Sequence, residues 1–273
     1  MSASSSLSRP SRGLQIYAVL FLVVLYLPIL FIPLFSFNAS IYVRFPLEGF
    51  TTQWYGELWA RDTLWEALGA SLRVGLIVAV ISTVLGVLTA RAITRRRLPG
   101  QSAIVAFIML PLVVPGIIFG VALLVLLSRL GITLSLWTVG LGHMIVCLPF
   151  AVATLLPRFE GFDRSLEEAS ADLGEGAWWT FWRVTFPLVI PGIVASLLLS
   201  FTISFDEFIM AFFLSGTQPT LPMYIWTQLR FPQEFPSVLA LATVILGISF
   251  ALVFVALWIG RMGLNDTPKR AGT

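Results

Sequence analysis

The chain has 273 residues, of which 58% are hydrophobic and 11% charged, with a mean hydropathy of +0.92. An ordinary soluble domain carries about a quarter charged residues, so this composition excludes one and indicates a polytopic membrane protein. The net charge of +3 is small and scattered, which gives nucleic acid no footing, and the single cysteine, Cys147, excludes an intrachain disulfide.

Residues 1–13 are Ser-rich, carry Arg9 and Arg12, and read as a disordered tail. The apolar run 14–37 exceeds a signal-peptide core and lacks a cleavage site, so it is the first of six expected transmembrane helices. Pro28 and Pro33 are kinks that neighbouring helices tolerate. Asn38 to Glu66 reads as a polar and aromatic loop whose Trp54 and Tyr55 suit the headgroup level. Span two is expected over residues 69–92, followed by the basic turn Arg95-Arg96-Arg97. Span three, 103–127, holds Pro111 and Pro115-Gly116, a helix break, and the pair Gly116 and Gly120, which permits close helix contact. Span four covers 136–156, and span five runs from Pro187 to about Leu214. A proline-rich outer loop (Pro219, Pro222, Pro232, Pro236) precedes span six, 237–260, and the basic tail 261–273. The expected fold is thus all-α, one transmembrane domain over 14–260 with a polar loop at 158–186.

Six spans put both termini on one side. With the tails, the Arg95 turn and the polar loop on that side, it carries twelve Lys and Arg: Arg9, Arg12, Arg91, Arg95, Arg96, Arg97, Arg158, Arg164, Arg183, Arg261, Lys269 and Arg270. The opposite loops carry four, Arg44, Arg61, Arg129 and Arg230, with Arg73 inside span two. Positive charge stays inside, which makes the polar loop and both termini cytoplasmic.

That loop holds the chain's most specific pattern. Ser165 can cap the N–H of Glu168 while Glu168 reaches back to Ser165, a reciprocal capping box. Gly174 suits the left-handed residue that ends a helix, and a second amphipathic run, 177–184, leads to Pro187 at the first turn of the next helix. Two short helices joined at a glycine make a projecting lever. Glu168-Ala169-Ser170, three residues, Gly174, nine residues, Val184-x-Phe186-Pro187 resembles the Glu-Ala-Ala loop of binding-protein-dependent ABC importer permeases. Ser170, Val184 and Phe186 depart from that family's Ala, Ile and Leu while keeping size or apolarity.

The resemblance implies a type I ABC importer permease fold in a bacterial inner membrane, among lipid. It further implies a lever that docks on a cytoplasmic ATPase through Glu167, Glu168, Ala169, Ser170 and Gly174. One chain supplies one lever, so two ATPase subunits and a second permease, identical or homologous, are implied, with an external substrate-binding protein. A Walker A loop needs a lysine after glycine, and the only lysine is Lys269, after Pro268. The chain is therefore expected to be no enzyme and to bind no cofactor, with ATP and Mg²⁺ held by the partner. Glu168 as a capping partner and Glu168 as a docking residue stay open together, since a carboxylate can accept from both. Trp178, Trp179 and Trp182 read as interface anchors beside the membrane.

Asp206-Glu207 interrupts the apolar run 188–214. Ionisable groups at membrane depth face a cavity or partner, because burying each costs roughly 2.5–3.5 kcal/mol. A helix starting at Pro187 places Asp206 about 28 Å away, at the far edge of a core of about 30 Å; an earlier start draws it inward. A solvated helix end and a pathway lining are thus both open. Ser204-Phe205-Asp206-Glu207-Phe208 and Leu221-Pro222-Met223-Tyr224-Ile225-Trp226 resemble motifs of the polyamine branch of the same family. By that resemblance Ser204, Asp206 and Glu207 line the path of a polycation such as spermidine or putrescine, and Tyr224 and Trp226 belong to an outer segment that lines or closes that path, docks the external binding protein, or is an ordered loop with no ligand role. Thiamine, ferric iron, opines and amino compounds are alternative cargoes of related permeases. A secondary transporter would need coupling charges deep in the spans and often shows inverted repeats; no repeat is visible. His143 and Cys147, one turn apart on span four, read as buried packing residues rather than metal ligands.

Overall fold

The computed structural model describes residues 12–95, 99–161 and 163–264, so most of both tails, Arg96 and Arg97 lie outside the described residues. Regular structure among the described residues is helical, apart from one isolated bridge between Asn38 and Phe50. Five helices are long and apolar enough to cross a membrane, or six if one bent pair counts as a span. The chain divides into two units, residues 1–61 with 227–273, and residues 62–226.

The first unit holds α1 (Arg12–Ser36), α2 (Gln53–Trp59) and α12 (Phe235–Leu264), with α1 and α2 both packed on α12. Helix α1 starts one residue before the end of the expected tail. Its Leu, Val and Phe side chains are exposed almost throughout, the mark of a helix whose solvent is hydrocarbon. Its last turn is held by polar bonds: Ser36 Oγ donates to Pro33 O (2.8 Å) and shares a bond with Tyr55 OH (2.6 Å). Trp54 Nε1 donates to Asn38 O at 2.8 Å. The expected loop 38–66 therefore contains α2, and Arg61 ties α2 to the start of α12 through Glu57, Glu234 and Ser237.

The second unit begins with α3 (Asp62–Arg95), then α4 (Gln101–Met109) with a 3₁₀ turn to Leu112, α5 (Gly116–Arg129) and α6 (Leu136–Glu160). Helices α7 (Ser165–Asp172), α8 (Ala177–Thr180), α9 (Phe186–Asp206), α10 (Ile209–Leu214) and α11 (Leu221–Gln228) follow. The expected break in span three is real and sharp: α4 with its 3₁₀ turn meets α5 at 97°. Proline pushes its predecessor out of the helical region and is itself extended here (ψ 131°) before Gly116 restarts the helix. Gly120 lies where α5 meets α10; a Cβ there would stand 2.5 Å from Phe213.

Span five differs from expectation at both ends. Helix runs unbroken from Ala177 to Asp206, with a π-helical stretch at Phe181–Thr185. Pro187 has no N–H and its ring would strike the carbonyl four residues back. The wider π turn relieves both problems, with Phe186 N–H bonding Phe181 O instead. The helix then stops at Asp206, and α10 is a separate short segment. The proline-rich loop after α10 is likewise partly ordered, as α11 and a 3₁₀ turn at Pro232–Glu234.

Helices α3, α6 and α9 pack on one another. Val74, Val78, Val139, Met210 and Leu214 form one core cluster, and Ala90, Leu155, Phe159 and Val189 a second nearer Arg95. Along α9 the buried Ser196, Ser200 and Ser204, four residues apart, form one polar stripe. Ser196 shares a bond with Thr83 (3.1 Å), Ser200 O accepts from Cys147 Sγ, and Ser204 shares one with His143 Nδ1 (2.8 Å). Small hydroxyl residues let membrane helices approach closely while bonding across the gap. His143 and Cys147 are buried in this contact, as expected.

One turn fixes the opposite end. Gly216 has φ +63°, and a Cβ on it would lie 2.4 Å from Leu134 O. Beside it Thr138 Oγ1 donates to Leu214 O at 2.7 Å, tying the start of α6 to the end of α10.

Candidate functional site

Among the described residues the expected site residues fall in two places with charge, exposure and irregular backbone: the α7–α8 lever and the α9–α10 break. In the lever the capping box does not form. Asp163 takes the role instead, its Oδ1 accepting from Ser165 N–H at 3.0 Å. The Ser165 backbone and hydroxyl donors hold the Asp163 carboxyl below its usual range. A cap two residues earlier wins because a short Asp side chain reaches a following amide more easily than Glu168 can fold back. Glu168 is thereby released: it is exposed, as is Ala169. At the far end Gly174 adopts φ +88°, with Glu175 N–H bonding Ser170 O and Gly174 N–H bonding Ala171 O. This is the double bond pattern of a Schellman end, and it needs the left-handed residue that glycine supplies. Leu173, 86% exposed at that tip, is an apolar knob next to acidic Asp172 and Glu168.

Glu167 is engaged within the chain. Its Oε2 pairs with Arg95 Nε at 2.6 Å and its Oε1 accepts from Thr185 Oγ1 at 2.5 Å. Ser170 is half-buried and shares a bond with Thr180 (3.0 Å). Three arginines fasten the lever. Arg95 also donates to Phe159 O, Arg164 donates to Thr94 O, and Arg91 donates to Ala177 O while lying 4.3 Å from the Phe181 ring centre. A cleft of about 660 Å³ lies beside them, lined by Arg91, Arg95, Glu167 and Glu175. From sequence these arginines counted only as markers of sidedness. The available signal was Arg91 and Arg95 at a four-residue spacing, one face of α3. Trp178 and Trp179 are more than half exposed.

At the break, Asp206 closes α9 and is exposed, while Glu207 is extended (ψ 108°). Glu207 Oε1 accepts from the N–H groups of Ile209 (2.8 Å) and Met210 (3.2 Å), so it caps α10. Trp226 is 48% exposed and packs on Phe208 with centroids 5.4 Å apart, a contact within this same region. Two of the expected lining residues are buried within the chain. Ser204 is 3% exposed and bonded to His143, and Tyr224 is 5% exposed, because both lie on inward faces of their helices. Within this chain both side chains pack rather than stand open. Among the described residues no three His, Cys, Asp or Glu side chains group for a metal.

Residues 82–263 match the family described as binding-protein-dependent transport system inner membrane component. Over 249 residues the chain is 35% identical to the spermidine/putrescine transport system permease protein PotC of Escherichia coli strain K12, covering 90% of this chain and 91% of PotC. It is 34% identical over 231 residues to the putrescine transport system permease protein PotI of the same strain, covering 82% of each. A crystal structure of a bacterial ABC transporter involved in the import of the acidic polysaccharide alginate matches with a TM-score of 0.62 at 17% identity, over 90% of this chain and 98% of that one, a likeness of fold. An all-helical membrane chain with this match over most of its length belongs to the binding-protein-dependent inner-membrane permeases, the transmembrane subunits of ABC importers.

Proposed function

We propose that this permease subunit carries a polyamine such as putrescine or spermidine, with the lever cytoplasmic and docked on one of two ATPase subunits. ATP and Mg²⁺ are held by those subunits, a second permease completes the pathway, and an external binding protein delivers the solute. The observation that carries the cargo is the exposed Asp206 at the C-terminal end of α9. A helix C-terminus concentrates partial negative charge, and here it adds to a carboxylate two residues from Phe208, whose ring packs on Trp226. Carboxylate, helix end and ring face all attract an ammonium group. The relatives named for spermidine and putrescine support the same cargo.

On the lever the exposed Glu168, Ala169, Asp172 and Leu173 are the docking face, an apolar tip with acidic neighbours suited to a groove with basic walls. Lever, tails and Arg-rich ends share the cytoplasmic side by the excess of positive charge.

Asp206→Asn should lower putrescine uptake by about tenfold, ~1.4 kcal/mol, the scale of one charge-assisted contact. Asp206→Glu should retain most activity. The check is labelled putrescine uptake into proteoliposomes holding the whole transporter and its binding protein. Unchanged kinetics in the asparagine variant would remove Asp206 from the path.

A further inference from the structure

We infer that Glu167 is a positioning residue, the pin that joins the lever to two spans at once, and that it takes no part in gripping the ATPase. The inference rests on reading α7–α8 as the ATPase lever. Its ground is the division of one carboxylate between two helices. Oε2 is held by Arg95, the last residue of α3, and Oε1 by Thr185, in the π stretch that leads into α9. Glu167 itself belongs to α7, so three elements meet on one side chain.

Burial separates this group from its neighbour. The Glu167 and Arg95 side chains are 17% and 14% exposed, and Thr185 is fully buried, whereas Glu168 faces outward. Both oxygens of the Glu167 carboxylate are already engaged by this chain's own Arg95 and Thr185, whereas the Glu168 side chain is turned outward. The π stretch adds a further reason: its extra residue per turn rotates the helix face, and the buried side chain that results is Thr185, aimed at Glu167. Arg164 on Thr94 O and Arg91 on Ala177 O tie the same helices on either side, so the joint is braced against twisting. A force applied at Glu168 or Leu173 passes through Glu167 to α3 and α9 together. With the pin cut, the lever is still seated on the ATPase but its movement no longer reaches both spans.

The test is transport stoichiometry in proteoliposomes with the complete transporter, its binding protein and labelled putrescine. Glu167→Gln removes the charge facing Arg95. Expected is a fall of about tenfold in putrescine taken up per ATP hydrolysed, the usual size of a coupling between two sites, with ATPase subunits co-purifying at wild-type ratio. Thr185→Val should shift the same ratio in the same direction. The exchange Arg95→Glu with Glu167→Arg restores an opposite-charge pair and should recover part of the coupling. An unchanged ratio in Glu167→Gln overturns the inference, and so does loss of the ATPase from that variant, which would make Glu167 a docking residue. If Glu167→Gln fails to assemble, the exchange decides: an assembled, coupled transporter supports the pin, and an uncoupled or unassembled one overturns it. Glu168→Arg run in parallel separates the two levels. Wild-type behaviour there refutes the lever itself, whereas a defect there with normal Glu167→Gln refutes the pin alone.

Discussion

Glu168→Arg should leave the chain inserted and helical yet lower ATP-driven uptake by about 100-fold, the effect of reversing one central contact of a protein interface. The side chain is exposed and its expected capping bond is made by Asp163 instead, so α7 does not depend on it. A positive charge in the first turn opposes the helix dipole only weakly at an exposed site. On the proposed docking, the loss then arises at the partner, where the reversed charge opposes the contact that Glu168 makes. Membrane fractionation and circular dichroism check insertion and folding; ATPase co-purification and solute-stimulated hydrolysis check docking. Coupled uptake at wild-type rate would refute the docking face.

Gly216→Ala should strike assembly rather than coupling. The left-handed backbone at φ +63° costs an alanine about 1–2 kcal/mol, and the added Cβ would fall 2.4 Å from Leu134 O and 2.9 Å from Leu134 C, both backbone atoms. No rotamer change relieves a clash with main chain, so the turn or the start of α6 must move. That movement breaks the Thr138 to Leu214 bond at the same point. The combined destabilisation is about 3–4 kcal/mol, which for a chain of this size lowers the melting temperature by about 10 °C. Gly174→Ala is the control, with φ +88° but open space around its Cβ. It carries the backbone strain alone and should show a shift about a third as large. Equal melting temperatures for the two variants would show that the Leu134 contact yields freely.

Most of the helical layout was legible because its determinants are local. Apolar length gave the spans, Pro115-Gly116 gave the break, and Gly174 gave the lever's end, realised at φ +88°. The failures share one cause, competition among neighbours that spacing cannot rank. Asp163 outcompeted Ser165 and Glu168 for the cap. Pro187 looked like a helix start, but a π turn absorbs it and the helix begins ten residues earlier. At the two sites the residue types were visible and their facing was not. Glu167 and Glu168 are adjacent in sequence and about 100° apart round α7, one engaged by Arg95 and one exposed. Ser204 and Asp206 diverge likewise, the first bonded to His143 and the second exposed.

The unbroken run from Ala177 to Asp206 has a mechanical result. Thirty residues make a rod about 45 Å long, half as long again as the roughly 30 Å of hydrocarbon it crosses. Pivoting such a rod at Ala177 by about 5° sweeps Asp206 sideways by about 4 Å, close to the diameter of an ammonium ion. A nudge too slight to disturb the packing at one end is therefore enough, at the other, to carry the Asp206 carboxylate to a new position.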